Sequence, residues 1–248
     1  MKIERIDIDS RVLGGNVLAI RDFDPATDFA AFERGYLIEY NPIYVSAKVP
    51  LERISDVQAI ESAGFQLAEC QIRSQVKLRK PYDVTTFSYD FEPVVREEDL
   101  GPVLEIAETT FVHDRFSMDR AVRPGVSGAR YREYVRQSFL SPDEAVYRLV
   151  DREGRTVAFK THRYVGGAEV LFLLGGVHVG YKNLGLGLIN EYFEFNELIR
   201  KGIRKGITHI SAANYPIFNL EISQLGFRVL ATFAVMRKTY SRDAGNRE

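Results

Sequence analysis

A glycine-rich segment between residues 177 and 187 carries the most informative chemical pattern of the sequence. It reads Val177-His-Val-Gly-Tyr-Lys-Asn-Leu-Gly-Leu-Gly187 and joins an apolar run to an amphipathic stretch. The first N–H groups of a helix lack acceptors within the helix, and the helix dipole adds partial positive charge, so an anion is favoured there. Gly185 and Gly187 allow a phosphate to approach the backbone, and Lys182 adds positive charge. The segment predicts a phosphate-binding loop, although a tight strand-to-helix connection without a ligand has the same pattern.

The elements around this loop alternate between strands and helices. Predicted strands cover residues 2–8, 16–20, 43–48, 65–78, 145–151, 156–165, 170–177, 207–213 and 227–240. Predicted helices cover residues 25–34, 51–63, 97–111, 128–140, 184–201 and 216–224. Residues 80–94 are predicted as a loop at a domain boundary, with one domain over 1–85 and another over 90–248. This alternation predicts a mixed sheet flanked by helices, of the α/β (α+β) class.

One unit of the sequence occurs twice, over residues 44–78 and 209–239. Each copy runs from a strand through a helix begun by proline and a capping glycine into a long strand. The matched positions are Ser46 with Ser211, Pro50 with Pro216, Gly64 with Gly226, and Phe65 with Phe227. Chance similarity between two such common units is the alternative to duplication. Only the second copy follows a glycine-rich loop, so only the second half is expected to bind phosphate.

Composition excludes several other classes of protein. The 33 Lys and Arg residues against 34 Asp and Glu residues give a net charge of −1, which argues against a nucleic-acid binder. Cys70 is the only cysteine, so the chain has no internal disulfide and no cysteine zinc site, and we expect a cytoplasmic protein. The four histidines are scattered, so no metal site is predicted. No apolar run approaches the roughly 20 residues of a membrane span.

The glycine loop resembles the acyl-CoA signature of the GNAT acyltransferase superfamily, in which a strand ending in Val precedes Arg/Gln-x-x-Gly-x-Gly/Ala. Lys182 stands where Arg or Gln is usual, and Val179 stands where many members have Pro. Asn214, followed by a short helix, Leu-Gly-Phe at 225–227 and a long strand, resembles the second signature of the family. The resemblance covers roughly residues 95–240. It implies a GNAT-like mixed sheet, with a degenerate half-GNAT subdomain at the N-terminus.

A half-copy in front of a full domain resembles the TDP-fucosamine acetyltransferase type. Short matches around Gly14-Gly15-Asn16 and around Phe111–Phe116 point the same way. The resemblance implies an N-acyltransferase that uses acetyl-CoA or another acyl-CoA, without a metal. The acceptor would be the amine of a nucleotide-linked amino sugar, such as a dTDP-amino-deoxyhexose, and the amine would attack the thioester directly. No nucleic-acid or membrane partner is expected, and a homodimer is left open.

The same resemblance implies roles for individual residues. The expected CoA-binding residues are Gly176, Val177, Lys182, Asn183, Leu184, Gly185, Leu186, Gly187 and Asn214. Asn214 is an expected catalytic residue that would hydrogen-bond the pantetheine arm. His178 and Glu169 are the other expected catalytic residues because they lie at the ends of the strand before the loop, although each could be an ordinary surface residue. His113, Asp114 and Arg115 are the expected substrate-binding residues because their polar stretch would border the acceptor cleft, although it could be an ordinary polar loop. Many members place a Tyr acid at the position of Ile222, so the acid and the base are not identified by the sequence.

Three alternatives stay open at this point. The acceptor could be an amino acid, a polyamine, an antibiotic or a protein N-terminus. The chain could bind CoA without catalysing a reaction. It could also be a different α/β phosphate-binding protein. The acyl group, the sugar, the nucleotide and the oligomeric state are not specified by the sequence.

Overall fold

The computed structural model describes residues 1–182 and 184–241, and ten strands of this part of the chain form a single mixed sheet. The strands are β1 Lys2–Arg5, β2 Val17–Arg21, β3 Tyr44–Pro50, β4 Gln66–Lys77, β5 Tyr89–Pro93, β6 Glu144–Asp151, β7 Thr156–Tyr164, β8 Glu169–Val177, β9 Lys205–Ser211 and β10 Arg228–Thr239. The helices are α1 Asp7–Leu13, α2 Phe29–Tyr40, α3 Ile54–Ser62, α4 Glu97–Thr110, α5 Arg115–Met118, α6 Val126–Leu140, α7 Leu186–Arg200 and α8 Tyr215–Ser223. The sheet order is β1-β2-β3-β10-β4-β9-β8-β7-β6-β5, which confirms the predicted mixed α/β sheet.

Helices cover both faces of the sheet around β8. Side chains alternate along a strand, so neighbouring residues face opposite sides. A Cβ on Gly175 would lie 2.9 Å from Nζ of Lys160, a residue that pairs with Glu191 of α7. A Cβ on Gly176 would lie 3.3 Å from Ile106 of α4. The two faces of β8 therefore look towards α7 and α4 respectively.

The largest differences from the predicted elements lie near the N-terminus. The predicted strand 2–8 was wrong beyond Arg5, because Asp7 and Asp9 begin α1 and Gly14 ends it at a φ of 74°. The predicted helix 25–34 was also wrong in its bounds. α2 continues through Gly35, and Asn41 at a φ of 43° takes the left-handed position that ends the helix.

The predicted loop 80–94 was wrong over Tyr89–Pro93, because these residues form β5 and pair with β6. No helix within the described residues combines the length and apolar character that crossing a membrane requires. The elements that flank the glycine-rich loop, β8 and α7, lie close to their predicted bounds.

The long strand of each repeated unit lies between strands of the other unit or next to them in the sheet. β10 lies between β3 and β4, and β4 lies between β10 and β9. β10 pairs antiparallel with β4, with Arg228 opposite Gln75 and Arg237 opposite Gln66. A local twofold axis passes between Gln71 and Phe233. Rotation about this axis places β4 on β10, so that the pair Arg228 and Gln75 superimposes on the pair Gln66 and Arg237.

The same axis relates β3 to β9 and corrects two predicted matches. Pro50 lies opposite Phe233, and Ser211 lies opposite Gln71, so Ser211 corresponds to Pro50. The predicted match of Ser46 with Ser211 was wrong, because strand sequences alone do not fix the register. The predicted match of Pro50 with Pro216 was also wrong, because Pro50 is the last residue of β3, whereas Pro216 lies in the first turn of α8. The sheet is continuous across the two units, and the division into domains at 1–85 and 90–248 stays a prediction.

β8 and β9 run parallel but pair over only three residues each, Glu169–Leu171 with Lys205–Ile207. A bulge at Leu173, where β8 shifts its register on β7, accompanies their separation. Phe172, the first residue beyond the paired stretch, lies against Gly206 on β9, where a Cβ would come within 2.0 Å of its ring. The ring also packs against Phe195 and Phe227, at centroid distances of 5.6 and 6.2 Å. Its packing therefore requires glycine at position 206.

We expect Gly206→Ala to lower the free energy of unfolding by about 1–3 kcal/mol, the usual cost of overpacking a core. Phe172 has little room to move because Phe195 and Phe227 hold its ring. Gly35→Ala is the control, since its Cβ would meet nothing within 4 Å in a helix, and it should leave stability unchanged or slightly higher. Urea unfolding measures both variants, and equal stabilities would contradict the role of Phe172.

Candidate active-site cleft

A cleft of about 430 Å³ lies where β8 and β9 separate. One wall is β8 from Phe172 to Val177, and the other is β9 from Thr208 to Ser211. Beyond Leu171 and Ile207, neither strand has the other as a hydrogen-bonding partner. Each keeps its neighbour on the far side, β7 for β8 and β4 for β9. The cleft is therefore bordered by two strand edges that an extended ligand could join.

The glycine-rich loop forms the mouth of this cleft. Lys182 and Gly187 line it, and Gly185 begins α7 in a left-handed conformation, at a φ of 74°. A Cβ on Gly187 would meet nothing within 4 Å, so the space beside this residue is free. The Tyr181 hydroxyl donates to Oδ2 of Asp151 at 3.0 Å, which ties the loop to the end of β6.

The other predicted CoA-binding residues of the strand and the loop differ in their positions. Gly176 and Val177 line the cleft, whereas Leu184 is exposed and Leu186 is buried in the core beneath the loop. Asn183 lies outside the described residues. Gly176 is required by packing, since a Cβ there would lie 2.6 Å from the Phe159 ring.

The three predicted catalytic residues are not brought together. Asn214 lines the cleft at the start of α8. Glu169 lies at the opposite, closed end of β8, where it pairs with Lys205 at 2.5 Å. His178 is exposed, and its ring accepts a hydrogen bond from the N–H of Gly180 at 3.1 Å. Neither Glu169 nor His178 is among the residues that line the cleft.

The three predicted substrate-binding residues all line the cleft. His113 is exposed, whereas Asp114 is buried and begins α5 by accepting from the N–H of Phe116 at 2.8 Å. Asp114 also accepts from the Ser127 hydroxyl at 2.7 Å, so it holds α5 against α6. Arg115 is half-buried and lies 3.7 Å from Asp9. Of the three, His113 and Arg115 have groups available for a ligand.

Glu69 was not predicted from the sequence, yet it is a carboxylate on the wall of the cleft. It comes from β4, in the first repeated unit, and is half-buried beside Ser211. Burial raises the pKa of its carboxyl, and the nearby Arg115 only partly offsets this effect. The alternation of Glu69, Gln71 and Arg73 along a predicted strand was the available signal, because three polar residues share one face.

Buried charges lie beneath the cleft on the α7 side. The Lys160 ammonium pairs with Glu191 and lies 3.5 Å from Oε2 of Glu194. Nδ1 of His162 lies 3.0 Å from Oε1 of the same Glu194. Because Lys160 is deeply buried, this cluster can persist only with its carboxylate partners, and it fixes α7 on β7.

Glu221 on α8 also lines the cleft and is buried, whereas the neighbouring Ile222 is exposed. The Ser74 hydroxyl donates to Oε2 of Glu221 at 3.3 Å. Burial, followed by repulsion from Glu191, raises the pKa of Glu221 to about 8, and Lys160 offsets part of the effect. The carboxyl is therefore mostly protonated at neutral pH and is able to donate a hydrogen bond into the cleft. No set of three or more His, Cys, Asp or Glu side chains within the described ranges is arranged to hold a metal.

Comparisons with known proteins identify the fold. No protein-family model matches the sequence, and no curated protein sequence matches it significantly. A GCN5-related N-acetyltransferase from Sphaerobacter thermophilus is similar in structure, with a TM-score of 0.67, 13% identity and coverage of 96% of this chain and 76% of that one. A tandem GNAT protein from the clavulanic acid biosynthesis pathway has a TM-score of 0.61, 13% identity and coverage of 91% and 76%. A glucosamine N-acetyltransferase region of a fungal multi-domain β-N-acetylglucosaminidase has a TM-score of 0.64, 11% identity and coverage of 96% and 31%. At these identities the likeness shows the GNAT fold alone.

We expect Glu221→Gln to change how stability depends on pH. A carboxyl whose pKa is about 8 when folded and near 4.5 when unfolded binds its proton more tightly in the folded state. Its contribution is complete below the unfolded pKa and is lost as pH rises through the folded pKa. The wild-type protein should therefore lose stability relative to Glu221→Gln between about pH 4.5 and 8, by up to about 1.4 kcal/mol per unit of pKa difference.

Urea unfolding of both proteins across this pH range is the measurement. Glu61→Gln is the control, because Glu61 is exposed on α3. A stability difference between wild type and Glu221→Gln that does not vary with pH would contradict the raised pKa.

Proposed function

We propose that the protein is an acyl-CoA-dependent N-acyltransferase that acts on a small-molecule amine. The observation that carries this proposal is the early separation of β8 from β9, with a glycine-bordered helix N-terminus at the mouth of the resulting cleft. An extended thioester-bearing arm fits between two strand edges, and its diphosphate end fits at a helix N-terminus. The GNAT fold of the chain agrees with this reading.

The helices that precede the two repeated units differ in the way that this proposal requires. Ahead of the first unit, the N-terminus of α2 is occupied by the side chain of Asp28, which accepts from the N–H of Ala31 at 3.1 Å. Ahead of the second unit, Gly185 begins α7 and provides no capping side chain. The carboxylate of Asp28 would repel a phosphate, whereas Gly185 leaves the N–H groups of the first turn to an outside anion. We assign the CoA site to the N-terminus of α7 alone.

The donor would be held by Lys182 and by backbone N–H groups near Gly185 and Gly187, with the β8 edge at Gly176 and Val177 beside its arm. Asn214, at the start of α8, faces the same space and would hydrogen-bond the arm. Acetyl-CoA is the first candidate donor. The acyl-CoA supplies an activated thioester carbonyl, and the protein supplies position and hydrogen-bond donors.

We assign the proton acceptor to Glu69. The amine that attacks the thioester must lose a proton as the new amide bond forms and the thiolate leaves. Glu69 faces the cleft, and burial raises the pKa of its carboxyl, which makes it a better proton acceptor than an ordinary carboxylate. Glu169 lies at the closed end of the strands and His178 outside the cleft, so neither is given this role.

The acceptor that we put first is an amino sugar linked to a nucleotide. The short sequence resemblances favour it, and one neighbour in fold is described as a glucosamine N-acetyltransferase region. His113 and Arg115 would contact its polar groups at the edge of the cleft. Acylation of another amine, such as an amino acid or a polyamine, uses the same donor site and is separated by a screen of acceptors.

We expect the protein to bind acetyl-CoA with a micromolar Kd, about −8 kcal/mol, and Gly187→Leu to weaken this binding by about tenfold or more. The side chain at 187 would enter the free space at the mouth of the cleft, where the phosphates are proposed to lie. Leucine also favours the helix, so the fold should not suffer. Calorimetric titration with acetyl-CoA measures the change, with ATP as a comparison ligand.

Gly35→Leu is the matched control, because Gly35 is also a helical glycine with nothing within 4 Å of its Cβ. It should keep the wild-type affinity for acetyl-CoA. Wild-type protein that is folded but does not bind acetyl-CoA would refute the proposed function. Unchanged affinity in Gly187→Leu would refute the placement of the phosphates.

We expect Glu69→Gln to lower kcat by about 10²–10⁴ with an accepted amine, the usual contribution of a general base. The wild-type rate should rise with pH through the pKa of Glu69. This rise, the acidic limb of the pH–rate profile, should be absent in the variant. The Kd for acetyl-CoA should not change, and Glu61→Gln should behave as wild type. An acidic limb that persists in Glu69→Gln would show that another group accepts the proton.

A further inference from the structure

A second group of polar side chains lies beside the cleft on the face of the sheet that carries Glu69. Lys48 on β3 and His209 on β9 lie beside the Phe233 ring on β10, and Arg73 on β4 neighbours His209. Nζ of Lys48 lies 4.3 Å from the centroid of that ring, and the His209 ring lies 6.5 Å from it. Arg73 lies directly opposite His209 in the β4–β9 ladder. His209 also lines the cleft, so the group is continuous with the proposed active site.

Neither cation of this group forms an ion pair within the described residues, although Glu69 lies near enough to attract Lys48. Across residues 1–182 and 184–241, no ion pair within 4.0 Å involves Lys48 or Arg73. Nε of Arg73 is buried and has no hydrogen-bond partner in this part of the chain. Most other cations near the cleft are paired, as Arg130 is with Asp9 at 2.6 Å and Lys160 is with Glu191. Half-buried cations left unpaired in this way are unfavourable unless an anion joins them.

The electrostatics of the group agree with an excess of positive charge. Burial first, and then Lys48 and Arg73, lower the pKa of His209 to about 4. Burial also lowers the pKa of Lys48 to about 8, against the attraction of Glu69 and with the repulsion of Arg73, Arg115 and Arg21. At neutral pH His209 is neutral, and Glu69 is the nearby acid that attracts Lys48.

We propose that Lys48 and Arg73, together with His209, bind a phosphate-bearing part of the acceptor. This inference rests on the proposed function and specifies its acceptor: an amine that also carries a phosphate. The amine would lie near Glu69 and the phosphate near Lys48 and Arg73. A phosphate dianion matches two cations, whereas a single carboxylate would leave one of them unpaired.

The origin of these residues gives the first repeated unit a function. Lys48, Arg73 and Glu69 all come from β3 and β4, whereas the glycine-rich loop lies between β8 and α7, ahead of the second unit. β4 borders the cleft with Glu69 and Gln71 because it pairs with β9, and β3 lies next to β10 on the other side of β4. The first unit would bind the acceptor, and the loop ahead of the second unit would bind the donor.

The direct test follows the His209 ring by NMR while inorganic pyrophosphate is added. An anion beside Lys48 and Arg73 offsets their repulsion, so we expect the pKa of His209 to rise by about one unit or more in a saturable manner. The His209→Gln variant assigns the signal among the four histidines. Acetate is titrated in parallel, and an equal response to acetate would overturn the assignment to phosphate.

Lys48→Gln and Arg73→Gln locate the response. Each should weaken the pyrophosphate effect by about tenfold or more, and each should raise the pKa of His209 in the free protein by removing a like charge. Lys77→Gln, an exposed lysine at the end of β4, is the matched control and should respond as wild type. A double variant that carries both Lys48→Gln and Arg73→Gln and still shows the full shift of the His209 pKa with pyrophosphate would overturn the proposed site.

Lys182→Gln separates this inference from the proposed function. It should weaken acetyl-CoA binding and leave the His209 response to pyrophosphate intact. Acetyl-CoA binding without any response of His209 in wild-type protein would refute the phosphate site and leave the acyltransferase proposal standing. A His209 response without acetyl-CoA binding would refute the acyltransferase proposal and leave an anion site on the sheet.

The kinetic test compares glucosamine 1-phosphate with glucosamine as acceptors. Lys48→Gln should raise the KM for the phosphate ester by about tenfold and leave the KM for glucosamine unchanged. Equal changes for both acceptors would count against the proposed site.

Discussion

The separation of β8 from β9 after three residue pairs is the constraint on which the rest of this structure depends. Two adjacent parallel strands normally satisfy each other's backbone groups, and an early separation leaves two edges that need other partners. Gly206 accommodates the Phe172 ring where the strands separate, and the bulge at Leu173 turns β8 away. The cleft, the position of the glycine-rich loop at its mouth and the placement of Glu69 and Glu221 on its walls all follow from this geometry.

The local twofold axis relates the two units, and corresponding positions in and before them carry different side chains. α3 and α8 are each nine residues long, and Ile60, fully buried on α3, corresponds by number to Glu221 on α8. Asp28 begins α2 with a carboxylate, whereas Gly185 begins α7 without one. The helices α2 and α3 therefore have a capped N-terminus and an apolar residue at these positions, whereas the corresponding helices α7 and α8 have an uncapped N-terminus and a carboxyl group that lines the cleft.

Much of the fold and part of the site could be predicted from the sequence. The loop and its flanking elements were predicted because glycine spacing and apolar periodicity are local signals. α1 was missed because short helices and strands have similar apolar content over seven residues, and its capping Gly14 lies outside the periodic stretch.

Glu69, Lys48 and Arg73 could not be placed beside the cleft, because their position depends on β10 lying between β3 and β4. The insertion of β10 between two strands of the first unit has no local signature in the sequence. Glu221 was missed for a different reason, since the side of α8 that faces the cleft depends on how the helix rotates on the sheet, and Ile222 is only one position away.

The position of β10 between β3 and β4 also means that the sheet can be completed only late in translation. β3 and β4 are synthesised early, yet the strand that joins them, β10, is made more than 150 residues later, from Arg228 to Thr239. Until β10 leaves the ribosome, the two early strands have edges with no partner between them. Such edges favour pairing with other chains, and contacts between segments so distant in sequence form slowly. The two early strands therefore keep exposed edges through most of synthesis, and truncation before β10 would remove the partner of both strands at once.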